Sequence, residues 1–186
     1  MAKNIRMKTR RTPKTVFLSL KKRFLESRLY SDIANFDINN QDAARTLRSN
    51  FFSAYKRKLV IRMYSNFFTS AGLPGLILLN SKEKDNPDGA VTLRHEYGHT
   101  LQAERLGAIK YGIFIFVPSV MCNLLSRRHS KKGMRSLYMD YYNLPWERSA
   151  DALGGVEPES ERARNYRKSS DKLSEKYFSA IDEFPF

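Results

Sequence analysis

The apolar positions of this chain fall mostly at helical spacing. Phe17, Leu20 and Phe24 form one row and Leu18, Leu25 and Leu29 a second, opposite Lys21, Lys22 and Arg28. Thr12-Pro13 opens that helix, with the proline in the first turn, where its missing N–H costs nothing. Ala44, Leu47, Phe51 and Tyr55 predict a second helix that ends in Lys56-Arg57-Lys58, cations suited to the partial negative charge of a helix C-terminus. The period then shortens. Residues 59–64 are short and carry β-branched and aromatic residues, and with the apolar run 76–79 they predict two strands around the break Gly72-Leu73-Pro74-Gly75. A polar loop over 81–89 leads to a helix over 90–106, with Asp88 as its N-cap and Gly107 as its stop. Residues 111–125 are the most apolar part of the chain and read as a buried core segment, interrupted by Pro118 and Asn123. A re-entrant or interfacial membrane segment is the sharper alternative. Pro145 begins a further helix that Gly154-Gly155 ends. After a charged, aperiodic stretch, Leu173, Tyr177 and Ile181 line one face of a last helix. The pattern predicts an α+β protein, mainly helical, with a small antiparallel sheet beside the helix over 90–106.

Size and composition fit one domain. The 186 residues, 41% of them hydrophobic, are enough to bury a core without staples, and the single Cys122 cannot form an internal disulfide. Residues 1–12 read as a flexible basic tail and 13–186 as the domain. Charge alters this picture at the N-terminal end. Residues 1–64 hold 16 Lys/Arg against 4 Asp/Glu, whereas 65–186 hold 17 against 15. The basic N-terminal region suits an anionic membrane surface, nucleic acid or an acidic partner protein, and equally a solvated basic arm. Sequence-specific recognition of nucleic acid is not expected, because the chain has no zinc-finger spacing, phosphate-binding glycine loop or aromatic-interleaved RNA motif. The apolar run after the basic start, residues 16–20, is too short for a secretory signal, which predicts a cytoplasmic protein with membrane association as an option.

Candidate chemistry centres on His95-Glu96-Tyr97-Gly98-His99. Two histidines four apart lie one turn apart on the same side of a helix, so both imidazoles can reach one Zn²⁺. Gly98 between them predicts that another segment approaches this helix closely. A catalytic zinc usually has three protein ligands. Arg105 stands where a metzincin would place a third histidine, and His129 lies in the basic patch Arg127-Arg128-His129-Ser130-Lys131-Lys132, which would repel a cation. Glu147 and Asp151, four apart on the helix that Pro145 begins, face the same way. One of them can ligate the metal while the other accepts the N–H of a ligating imidazole.

His95-Glu96-Tyr97-Gly98-His99 followed by Glu147-Arg148-Ser149-Ala150-Asp151 resembles the gluzincin metallopeptidases, with a thermolysin-like ligand set. The Ala-Asp pair is also similar to that of small membrane-associated peptidases with a Glu-x-x-Ala-Asp segment. The resemblance implies a zincin-like fold in which the second helix supplies the Glu and the Asp. It implies His95, His99 and Glu147 as zinc ligands, Glu96 as general base, and Asp151 as the support of His95. It implies hydrolysis of a peptide or protein substrate, with a histidine or tyrosine donor for the oxyanion, for which the chain offers His129, Tyr138, Tyr141 and Tyr142. The rival class is a basic membrane- or nucleic-acid-binding protein whose zinc site is structural or degenerate.

Overall fold

The computed structural model describes residues 28–64, 70–130, 144–156 and 175–185, together with Arg23. The expected tail over 1–12, most of the first helix and the aperiodic stretch after Glu157 lie outside these residues.

The N-terminal part is held by one buried carboxylate. Helix α1 (Arg28–Ala34) carries Asp32, which accepts hydrogen bonds from the backbone N–H groups of Asn50, Phe51 and Phe52. Asp42 caps α2 (Ala43–Arg48) by accepting from the N–H of Ala44 at 2.8 Å. This helix is shorter than its sequence pattern predicts. With three amides drawn to Asp32, the chain leaves α2 at Ser49 and enters strand β1 (Phe52–Tyr55), which pairs antiparallel with β2 (Lys58–Met63). Lys56 and Arg57 are therefore a two-residue hairpin turn with φ of 46° and 67°, not the end of a helix.

The sheet is mixed rather than antiparallel. Its order is β1-β2-β4-β3, with β4 (Leu76–Asn80) parallel to β2 and antiparallel to β3 (Ala71–Leu73). The reversal comes from β3, three residues that overlap the stretch that reads as a break. Pro74-Gly75, with Gly75 at φ 72°, closes the β3–β4 hairpin and turns β4 back beside β2.

Helix α3 (Gly89–Leu106) runs between two cores. Asp88 stands at its N-cap without a capping side-chain hydrogen bond, and Gly107 ends it at φ 78°. Leu93 packs with Tyr55, Val60, Ile77 and Leu79 of the sheet. Ala103 and Leu106, about three to four turns further on, join a second core with Tyr111, Ile115, Trp146, Phe178 and Ile181. The latter two lie on the last helix, α6 (residues 175–182), beside half-buried Tyr177. Leu173 is outside the described residues.

The apolar stretch is a helix, and it is not a buried one. Helix α4 (residues 108–130) comprises Ala108–Tyr111, a π-helical turn Gly112–Phe116 and Val117–Ser130. Pro118 cannot donate to the carbonyl of Phe114 four residues earlier, and the Tyr177 hydroxyl takes that acceptor instead. By length and composition, residues 108–125 could cross a membrane, with a mean hydropathy of 1.7. Only 11% of this window is buried within the protein, which overturns the expected core segment.

Candidate metal centre

The centre forms where α3 meets α5 (Pro145–Gly154). Two glycines make that meeting possible. A Cβ on Gly98 would lie 1.9 Å from the carbonyl oxygen of Ala150, and one on Gly154 would lie 2.0 Å from that of Arg94. The backbones thus touch at two points, and the close approach expected at Gly98 is made by α5. Glu147, in the first turn of α5, and Asp151, one turn later, are brought against the histidines of α3.

His95 Nδ1 lies 2.7 Å from Asp151 Oδ1, and His99 Nδ1 lies 2.8 Å from Gln102 Oε1. Gln102 donates its Nε2 to the Trp146 carbonyl at 2.7 Å, which fixes its oxygen towards His99. Each imidazole thus has an acceptor for an Nδ1–H, Asp151 for His95 and Gln102 for His99. Their Nε2 atoms converge on Glu147 Oε2, at 3.1 Å from His95 and 3.3 Å from His99. The other carboxylate oxygen, Oε1, accepts from Ser119 Oγ at 2.6 Å. Glu147 is fully buried.

Two imidazole nitrogens and a carboxylate oxygen facing each other in a buried space are satisfied either by a proton shared between imidazole and carboxylate or by a cation between them. The donor atoms of His95, His99 and Glu147 all lie within 4.8 Å of one another and make a candidate metal site. The separations to Glu147 match the roughly 3.3 Å between ligands bound tetrahedrally at about 2.0–2.1 Å. The local electrostatics express the same demand for positive charge. Burial would raise the Glu147 carboxyl, but the charge of His99 and hydrogen bonds to both histidines hold it well below the usual range. Burial would lower His95, and hydrogen bonds to Asp151 and Glu147 with the charge of Glu96 outweigh it and push it up.

Glu96 is buried beside this cluster without joining it. Burial pushes its carboxyl up, against the opposing charges of His95 and His99 and a hydrogen bond from the Gly72 backbone. Gly72 lies on β3, where an added Cβ would meet the Glu96 carbonyl at 2.1 Å, and Tyr111 donates to the Gly72 carbonyl at 2.6 Å. The sheet's edge strand is thereby fixed alongside the motif helix.

The structure brings together His95, Glu96, His99, Glu147 and Asp151. His129 lies in the last turns of α4, outside the residues with described side chains, and Tyr138, Tyr141 and Tyr142 lie outside the described residues altogether. Sequence reasoning missed Gln102, Ser119 and Gly72. Gln102 had a readable signal, since a residue three after His99 shares its helix face. Ser119 and Gly72 had none, because their contacts exist only once α4 and β3 are in place. The chain matches no family model, no curated protein and no solved structure.

Asp151→Ala is expected to weaken metal binding by about 10–100-fold, the usual effect of removing the acceptor behind a ligating imidazole. Competition with a chromogenic chelator would measure it, and an unchanged affinity would remove Asp151 from the site.

Proposed function

We propose that this chain is a zinc-dependent hydrolase, a metallopeptidase of gluzincin type that cleaves amide bonds. The carrying observation is the convergence of His95 Nε2, His99 Nε2 and Glu147 Oε2, with each imidazole's N–H turned to a separate acceptor. Two imidazoles and a carboxylate suit zinc, and three protein ligands leave the open position that distinguishes a catalytic from a structural site. A bound zinc would supply Lewis acidity and lower the pKa of a water towards about 7.

The chain's own groups account for the remainder of the reaction. Glu96, with its carboxyl raised by burial, is suited to take a proton from the attacking water and return it to the leaving amine. Ser119 donates to Oε1 of Glu147, so that Oε2 is the oxygen left to hold a metal. Gln102 and Asp151 fix the imidazole tautomers and so keep both Nε2 lone pairs available. The oxyanion donor is sought among His129, Tyr138, Tyr141 and Tyr142.

The test is metal analysis of the purified chain together with hydrolysis of a broad peptide library. Wild type is expected to carry one zinc and cleave. Glu147→Ala is expected to lose at least about tenfold in zinc affinity and all measurable cleavage. Zinc retained without any cleavage would favour a structural site, and no zinc in wild type would refute the proposal.

A further inference from the structure

We propose that the exposed face of α4 seats this protein on an anionic lipid surface. The helix has two apolar faces with different fates. Tyr111 and Ile115 enter the second core, and Ser119, one turn further on, reaches Glu147. On the opposite side Ile109, Ile113, Val117, Val120, Met121 and Leu124 form a continuous stripe, with exposures from 36% at Val120 to 69% at Ile109. Spacings of four and three residues keep these side chains on one face along the helix. An apolar stripe of this length on a soluble surface marks an interaction site.

The packing decides how such a helix meets lipid. A helix with one side in the protein core cannot be surrounded by hydrocarbon, so α4 lies along the interface with its free face immersed. Charge selects the occupant. No acidic residue occurs between Glu104 and Asp140, and Arg127, Arg128, Lys131, Lys132 and Arg135 follow the apolar stripe. The whole chain carries +14, which opposes pairing with a second copy and favours a negatively charged partner. Apolar immersion followed directly by a basic cluster is the combination that binds anionic membranes. Because Ser119 belongs to the same helix, the candidate metal centre would stand about one helix diameter, roughly 10 Å, from the lipid. The docking itself does not depend on the zinc reading.

Co-sedimentation of the full chain with vesicles tests the inference, using phosphatidylcholine alone and phosphatidylcholine mixed with phosphatidylglycerol. Wild type is expected to sediment with the mixed vesicles and much less with phosphatidylcholine alone. The exposed-face variant Ile113→Ser/Val117→Ser/Met121→Ser is expected to bind the mixed vesicles at least about tenfold more weakly, with unchanged metal content. If circular dichroism finds that variant unfolded, Val117→Ser/Met121→Ser replaces it with the same expectation. Three results would overturn the inference. They are no sedimentation of wild type, equal sedimentation of wild type and variant, which would assign binding to the basic N-terminal region, and a wild-type dimer that the variant dissolves.

Discussion

Glu96→Gln is expected to retain zinc at wild-type stoichiometry and to lose hydrolysis by about 10²–10⁴-fold, the usual contribution of a positioned general base. Metal retention follows from geometry. The donors converging with Glu147 are the two Nε2 atoms of His95 and His99, and Glu96 is not among the three residues whose ligand atoms cluster. The amide keeps the size of the carboxylate and an oxygen able to accept from the Gly72 N–H, so β3 should remain against α3. What it loses is the basicity that burial gives the carboxylate. Removing a buried charge also relieves a desolvation penalty, so the variant should melt no lower than wild type. Zinc analysis, turnover on a peptide pool and a thermal melt separate these effects. Full turnover in Glu96→Gln would refute the general-base assignment, and loss of zinc would instead place Glu96 within the ligand set.

The legible part of this site was local. His95, Glu96 and His99 are tied by a spacing of four, which any helix converts into adjacency. Glu147 lies 48 residues beyond His99, and its nearness depends on how two helices pack. Its own four-residue spacing to Asp151 is legible, but the residues leave open which of the two ligates, and only the resemblance assigns the roles. Between them the structure places Asp151 on Nδ1 of His95 and Glu147 on both Nε2 atoms. The fold was legible where pattern and packing coincide, as in β2, β4, α3 and α5. It failed where a local pattern was overruled from a distance. Leu47, Phe51 and Tyr55 have helical spacing, yet Asp32 draws the amides of Asn50, Phe51 and Phe52 and the chain turns into β1. The Lys56-Arg57 turn was hidden because neither residue is one that favours positive φ. The stretch 111–125 reads as core because hydropathy reports what a segment avoids, and does not say whether protein or lipid covers it.

Gly98→Ala and Gly112→Ala are expected to move stability in opposite directions, although both place alanine in a helix. Intrinsic propensity favours alanine over glycine by about 1 kcal/mol in a helix interior. At Gly112 a Cβ meets nothing within 4 Å, so Gly112→Ala should gain up to that amount. At Gly98 the Cβ would sit 1.9 Å from the Ala150 carbonyl oxygen, with that residue's carbonyl carbon and Cα also under 3 Å. Backbone cannot rotate aside as a side chain can, so relief requires α3 and α5 to separate by about an ångström or more. Overpacking of this kind costs about 1–3 kcal/mol or more, which exceeds the propensity gain. A net loss of up to about 2 kcal/mol corresponds to up to roughly 4–8 °C in Tm for a chain of this size. The separation also carries Glu147 away from His95 and His99, whose contacts at 3.1 and 3.3 Å leave no slack, so zinc affinity should fall by at least about tenfold. Loss of zinc in Gly98→Ala with normal zinc in Gly112→Ala would tie metal binding to the helix contact. Wild-type zinc affinity in Gly98→Ala would mean that the two helices do not need to touch for the site to form.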